Sequence, residues 1–448
     1  MRRRRMLSLV LVLFASTVMP VSATGNDGHP GRPSESGNAR PDFDLPAVQL
    51  RLSLDRALAE HAFLSIEAMR TGIVGGAEFE VAAEVLEANT TEIVGLVEAG
   101  YGAAAADPFA EQWRNHIAYL VDYTRAVAAG DDDARDLAAS QLQTYVDDFS
   151  AFLVEANPGL PADVVQGLIQ EHVQQLEQIG TFADAGFADA YPAIRDTYAH
   201  MFMVGDGLAI GIMSRFVDKF AGRETAFSPA LEMRVNLDRL LGEHTYLAAI
   251  AMRARLTDAP DFAAATTALD GNSADLAAVI AEIYGEGAGQ AFDELWRSHT
   301  RFYLDYVEAA ADDNSPAKTQ ALDGLQEYRS DFSSFLAEAN PFLDQGGLES
   351  LLATHTRHLT SQVSSYLNQD YEGAYGTLRQ AYAHTESLAA GLAGAIADQF
   401  PRLFPDTATI APATGEDSRP IGWLLVTAAA VGAVALSAWR RGRRMDVG

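Results

Sequence analysis

The stretch Leu240 to Arg253, LLGEHTYLAAIAMR, nearly repeats the stretch Ala57 to Arg70, ALAEHAFLSIEAMR, which lies 183 positions earlier. The same offset still relates Asn157-Pro158 to Asn340-Pro341. Self-similarity at a fixed offset is the signature of a tandem duplication. The chain is therefore expected to contain two copies of one structural unit.

Apolar residues between the two ends of the chain recur at steps of three and four. One such series is Val165, Leu168, His172, Leu176 and Ile179. This spacing places the side chains on one face of an amphipathic helix, and no alternating β-branched run is long enough to indicate a strand. The sequence predicts an all-α protein made of two tandem helical bundles with about six helices each. The helices are expected to begin near residues 47, 77, 107, 132, 162 and 187, and 183 or 184 positions later in the second copy.

Dipeptides that end in proline mark several of the predicted helix starts and ends. Asp107-Pro108, Ser228-Pro229 and Ser315-Pro316 each place a capping side chain before a proline, whose missing N–H costs nothing in the first turn. Asn157-Pro158 and Asn340-Pro341 are expected to end helices.

The predicted domains follow the duplication, with a first helical repeat at residues 47–222 and a second at residues 229–405. Each has about 175 residues, which is enough for a core of its own, and 48% of the chain is hydrophobic. The net charge of −29 would repel nucleic acid, so nucleic acid is not expected as a partner. The chain has no cysteine, so disulfides and thiolate chemistry are excluded.

The N-terminus has the features of an export signal. Arg2 to Arg5 form a charged region, Met6 to Val18 form an apolar region, and Val21-Ser22-Ala23 fits a small-residue cleavage site. Residues 1–23 are therefore expected to be a signal peptide. Residues 24–46, which are rich in Gly, Pro, Ser and Asn, are expected to form a disordered arm.

The C-terminus has the features of a membrane anchor. Ile421 to Trp439 is an uncharged span of nineteen residues, long enough to cross a bilayer as a helix. The arginine-rich residues 440–448 that follow mark the cytoplasmic side. The folded part of the protein is therefore expected outside the cytoplasm and attached to the cell surface.

A linker at residues 406–420 precedes the apolar span and contains Ala411-Pro412-Ala413-Thr414-Gly415. With the span and the arginines, this motif resembles the cell-wall sorting signal that sortases of Gram-positive bacteria recognise, although Ala411 replaces the usual leucine. The resemblance implies cleavage between Thr414 and Gly415 and attachment of Thr414 to peptidoglycan. Sortase and peptidoglycan are then expected partners, and a plain membrane anchor is the alternative.

Every histidine of the first repeat recurs at the corresponding place in the second repeat. The candidate metal ligands are His61, His116, His172, His200, His244, His299, His355 and His384. Because four different helices of each repeat carry them, they would converge inside the bundle, as in known helical metal sites. Matched carboxylates would act as further ligands or orient the imidazoles. These carboxylates are Glu60, Glu111, Asp122, Glu243, Glu294 and Asp305.

Imidazole nitrogens with nearby carboxylates suit Cu(II), Zn(II) or Ni(II), and suit Ca(II) or Mg(II) poorly. The alternative is that the histidines are neutral core residues, since Trp113, Tyr101 and Tyr123 recur in the second repeat as well. Only His355 and His358, of which the second has no counterpart, have a spacing that places two histidines on one helix face.

Four motifs of this chain carry a resemblance to a known group of proteins. They are Glu60-His61, Trp113-Arg114-x-His116, D-F-x-x-F-L-x-x-A-N-P at residues 148–158, and Ala381-Tyr382-x-His384. In this combination the chain resembles secreted, tandemly duplicated all-helical proteins of Gram-positive bacteria, some of which are labelled "copper amine oxidase". The resemblance implies a copper-linked role. Such oxidases require an Asn-Tyr-Asp/Glu motif and a His-x-His pair, and this sequence contains neither.

Three functions are compatible with these features. A surface-displayed binding protein, with one histidine site per repeat for copper or another divalent transition metal, uses the histidines, the duplication and the anchor together. A structural or adhesive cell-wall protein requires only the anchor and stable helices. A copper-dependent oxidase would require an open metal position and a second redox group, which the sequence does not show. The sequence favours the first function, and no catalytic residue is expected.

Overall fold

The computed structural model describes residues 41–180 and 187–407. Within these residues the chain is all-α, which confirms the predicted fold class, and each repeat contains six of the described helices. The helices are α1 Pro46–Ile73, α2 Phe79–Tyr101, α3 Ala103–Ala129, α4 Asp132–Ala156, α5 Ala162–Gly180, α6 Phe187–Arg215, α7 Pro229–Leu256, α8 Phe262–Tyr284, α9 Glu286–Ala311, α10 Ser315–Ala339, α11 Gln345–Leu367 and α12 Tyr371–Gln399.

Both ends of the chain fall outside this description. The expected signal peptide, the sorting motif with Thr414 and Gly415, and the apolar span at residues 421–439 all lie outside the described residues. Among the helices that are described, none combines the length and the apolar character needed to cross a membrane.

The start of the third helix of each repeat and one predicted cap need correction, and in the second repeat this helix, α9, begins at Glu286 directly after Gly285. Helix α3 begins at Ala103 and not near residue 107, because Gly102 adopts φ 88° and turns the chain directly from α2 into α3. Pro108 consequently lies inside α3. The cap of α10 is Asn314, whose side chain accepts a hydrogen bond from the Ala317 N–H, and not Ser315.

The repeated stretch that reveals the duplication forms the two central helices, α1 and α7. Every residue from Ala57 to Gly72 in α1 is buried, and every residue from Leu240 to Ala254 in α7 is buried. Helix α1 packs against α2, α3 and α6, and α7 packs in the same way against α8, α9 and α12. A helix that is covered on all sides has no solvent-exposed face for polar side chains. Both stretches therefore consist mainly of apolar and small residues.

The expected separation into one core per repeat is found only in part, because the second repeat has buried apolar clusters of its own but also shares a larger one with the first repeat. The largest cluster of buried apolar residues contains side chains from both repeats. At its centre the rings of Phe63 and Tyr246, which are equivalent positions, stack with centroids 3.7 Å apart. The hydroxyls of Tyr198 and Tyr382, also equivalent, lie 3.3 Å apart. Equivalent residues meet in this way where two copies of one surface pack face to face, as in a two-fold dimer.

Buried ion pairs also connect the repeats. Arg70 pairs with Asp261 at 2.6 Å, and Arg253, the equivalent of Arg70, pairs with Glu67 at 3.1 Å. All four side chains are almost completely shielded from solvent. Removing one partner of such a pair would leave a buried charge uncompensated. The contact between the repeats is therefore specific as well as apolar.

Candidate functional site

Three histidines of the first repeat meet inside the helical bundle. His61 on α1, His116 on α3 and His172 on α5 are all buried. The Nε2 atoms of His61 and His116 lie 3.2 Å apart, with ring centroids separated by 5.1 Å. The ring of His172 is 5.9 Å from that of His61. Three side chains that are 55 or more positions apart in sequence thus form one cluster, here called the first histidine cluster.

The second repeat forms the same arrangement with His244, His299 and His355, here called the second histidine cluster. The Nε2 atoms of His244 and His299 are again 3.2 Å apart, with centroids 5.1 Å apart. The ring of His355 lies 6.3 Å from that of His244. The duplicated bundle therefore preserves the geometry of the inner pair and not only its residue types.

Aromatic side chains form the walls of both clusters. Trp113 lies 4.7 Å from the rings of His61 and His116, and Tyr145 stacks on His116 at 4.7 Å. Trp296 and Tyr328 occupy the equivalent places in the second cluster. These walls keep water from the imidazoles and lower the local dielectric constant, so electrostatic interactions inside the clusters are strong.

Burial determines the protonation state of the histidines. Together with the neighbouring imidazole of His172 or His355, it lowers the pKa of His116 and of His299 to about 3. Burial also holds the pKa of His61 and His244 well below the usual histidine range. The imidazoles are consequently neutral at physiological pH, which is the form that binds metal ions.

Several ring nitrogens in the clusters lack a hydrogen-bond partner among the described residues. They include Nδ1 of His61, Nδ1 of His244 and both nitrogens of His172. His116 Nδ1 faces the carbonyl groups of Gln112 and Trp113, one turn earlier in its own helix, without forming a well-aligned hydrogen bond. A proton on this Nδ1 leaves the lone pair on Nε2, the atom that faces His61. Buried polar atoms without partners are rare, and a bound water or ion is a common explanation.

The fourth predicted histidine of each repeat is turned away from the cluster. His200 Nε2 donates to the carbonyl of Leu168 at 2.8 Å, and His200 Nδ1 lies 3.7 Å from the carboxylate of Glu171. His384 Nε2 donates to the carbonyl of Leu351 at 2.9 Å. Both rings are thus fixed to the backbone of the neighbouring helix. The structure brings together three of the four predicted histidines in each repeat, with the fourth beside them.

The Glu-His pairs that match between the two repeats do not act as joint ligands in this geometry. Glu60 binds Arg379 through two hydrogen bonds of 3.0 and 2.9 Å, and Glu243 binds Arg195 through two of 2.8 and 3.1 Å. Both pairs cross between the repeats. Adjacent helix residues point about 100° apart, so Glu60 faces the other repeat while His61 faces its own bundle.

The remaining predicted carboxylates lie at the surface. They are Glu111, Asp122, Glu294 and Asp305, and all four are exposed. None of the six predicted carboxylates forms a hydrogen bond or ion pair with a histidine in the described part of the chain. The expectation that they complete a metal site is therefore corrected, because exposed helix faces and cross-repeat pairing direct them elsewhere.

The donor set of each cluster fits a transition-metal ion in part. Two imidazole nitrogens bound to one tetrahedral ion at about 2.0–2.1 Å are separated by about 3.3 Å, close to the observed 3.2 Å in each inner pair. The third ring is farther away. Within the described residues, no group of three or more His, Asp or Glu side chains is already arranged around a single metal position. The inner pair is preformed, and a third ligand would have to approach when an ion binds.

Comparisons of the chain with protein-family models, with curated proteins and with solved structures each found no match. The chemistry of the two clusters is therefore judged from their own side chains.

Proposed function

We propose that this protein is a surface-displayed binding protein that holds one divalent transition-metal ion, copper or zinc, in each repeat. The observation that carries this proposal is the inner pair of Nε2 atoms at 3.2 Å, formed once by His61 and His116 and again by His244 and His299. Two neutral imidazoles that face each other across this distance provide two ligand positions for one ion.

The surroundings of the inner pairs support a metal of this class. His172 adjoins the first pair with both ring nitrogens unpaired, so it is available as a third ligand. Nitrogen donors without carboxylates favour Cu or Zn over Ca or Mg, which require oxygen ligands.

The location of the protein is part of the proposal. We infer that residues 1–23 direct export, and that the chain is held at the surface either through Thr414 on peptidoglycan or through the apolar span at residues 421–439. Sortase and peptidoglycan would be partners in the first case. A protein so anchored would present its two metal positions outside the membrane.

Metal analysis of matched variants tests the binding function. Wild-type chain exposed to copper, zinc or nickel at neutral pH and then desalted is expected to retain about two ions, one per repeat. His116→Gln is expected to lose the ion of the first repeat and retain that of the second. His299→Gln is expected to lose the ion of the second repeat and retain that of the first. His200→Gln is the control, because this ring is bonded to Leu168 and lies outside the inner pair. A wild-type chain that retains no metal under these conditions would refute the proposal.

A structural role is the second candidate, and the same distance between the two Nε2 atoms of each inner pair favours it. A separation of 3.2 Å also fits a hydrogen bond in which one neutral imidazole donates through Nε2–H to Nε2 of the other. The histidines would then be paired core residues of a structural or adhesive wall protein. In that case His116→Gln lowers the melting temperature and leaves the metal content at zero in both proteins.

A further inference from the structure

The two histidine clusters differ at their outer ends. In the first repeat His172 and His200 are 6% and 1% exposed. Their counterparts in the second repeat, His355 and His384, are partly exposed. The inner pairs are equally buried in both repeats. The second cluster is thus open to solvent on one side, whereas the first is closed on the same side.

An additional imidazole occupies the open side of the second cluster. His358 follows His355 by one turn of α11, and its ring lies 5.9 Å from that of His384. It is partly exposed. His355 and His358 lie on one face of α11, and the ring of His355 is 6.3 Å from that of His244. Neighbouring imidazoles therefore lie between the buried inner pair and the surface of the second repeat.

The first repeat has no imidazole at the equivalent place. Position 175, which corresponds to 358, is a glutamine whose side-chain amide donates to Glu171 at 3.3 Å. The carboxylate of Glu171 in turn faces His200 Nδ1 at 3.7 Å. In the first repeat the place of His358 is therefore taken by an amide that is hydrogen-bonded to a carboxylate.

We propose that His384 and His358 form a path through which the second repeat takes up and releases its metal ion, whereas the ion of the first repeat exchanges slowly. The inference rests on the proposed metal binding. An ion that crosses an apolar helical bundle without ligands would lose its hydration at a large cost in free energy. Neighbouring imidazoles lower this barrier because the ion exchanges one nitrogen ligand for the next and is never without a donor.

Chelator-driven release from the zinc-loaded, full-length chain tests the path. With EDTA in excess, wild type is expected to release one ion quickly and one slowly. His299→Gln, which removes the inner pair of the second repeat, should abolish the fast phase, and His116→Gln should abolish the slow phase. These two variants assign each phase to a repeat.

The duplication itself supplies the matched pair of variants. His358→Gln places the first repeat's residue in the second repeat and is expected to slow the fast phase about tenfold, which corresponds to a barrier higher by about 1.4 kcal/mol. Gln175→His makes the converse change and is expected to accelerate the slow phase. Because a path alters entry and exit together, zinc content at equilibrium should remain near two ions per chain in both variants.

The possible outcomes separate the two proposals. If wild type holds two ions but both leave at one rate, or if His358→Gln leaves the fast phase unchanged, the path is refuted and the binding function stands. If wild type retains none of zinc, copper and nickel, the binding function fails, and the path fails with it.

Discussion

The ion pair between Arg70 and Asp261 allows a quantitative test of how the repeats hold together. Arg70 donates from Nε to Asp261 Oδ2 at 2.6 Å and from a terminal nitrogen to Oδ1 at 3.2 Å. Asp261 is fully buried and also accepts a hydrogen bond from the Tyr191 hydroxyl at 2.9 Å. The only other carboxylate near the guanidinium in the described contacts is Glu67, at 3.7 Å. Asp261→Asn removes the charge and preserves the shape of the side chain.

The expected decrease in the free energy of unfolding follows from the burial of both side chains of the pair. Removing one partner of a buried ion pair costs about 3–5 kcal/mol, and an asparagine oxygen can still accept one bond from Arg70, so we expect about 3 kcal/mol. Urea unfolding of wild type and variant, with unchanged dependence on denaturant, measures the difference. The control is Glu87→Gln, whose partner Arg114 is also 2.6 Å away but whose pair is about half exposed. Its expected cost is about 0–1 kcal/mol.

The comparison between these two variants decides the argument. If Asp261→Asn costs no more than Glu87→Gln, the buried pair of Arg70 and Asp261 does not stabilise the contact between the repeats. A change in the denaturant dependence would instead show that the variant unfolds in separate steps.

Three further predictions follow from the same structure. In metal-free protein, buried neutral histidines such as His116 take up protons only on unfolding, so stability should fall by about 1.4 kcal/mol per pH unit for each of them as pH decreases below 6.5. Urea unfolding of His116→Gln at several pH values should show a smaller loss of stability per pH unit. Asp238 acts in the opposite direction, because burial raises its pKa to about 7. Residues 47–222 expressed alone should aggregate or dimerise in sedimentation analysis, because the face that carries Phe63 would be exposed; a stable monomer would contradict the shared core. Thr414→Ala should move the protein from the muramidase-released wall fraction to the membrane fraction, and complete detergent extraction of wild type would contradict covalent attachment.

The amino-acid sequence alone was enough to predict the fold class and the order of the helices. Periods of three and four residues and capping residues such as Ser228 act over short distances, so helix starts could be predicted from local pattern. The start of α3 was missed because a single glycine, Gly102, makes the turn between two helices without a longer loop. The duplication was evident because both copies of the central helix must fit the same closely packed surroundings.

Which side chains meet depends on the packing of the helices and could not be predicted from the sequence. Glu60 and His61 are adjacent in the sequence and were expected to serve one site. Because successive helix residues point about 100° apart, Glu60 contacts Arg379 of the other repeat and His61 contacts His116. The shared core and the unequal exposure of the two clusters depend on how the repeats and helices pack. These contacts join residues far apart in the chain, and their geometry is fixed by packing of whole helices, which no local pattern encodes.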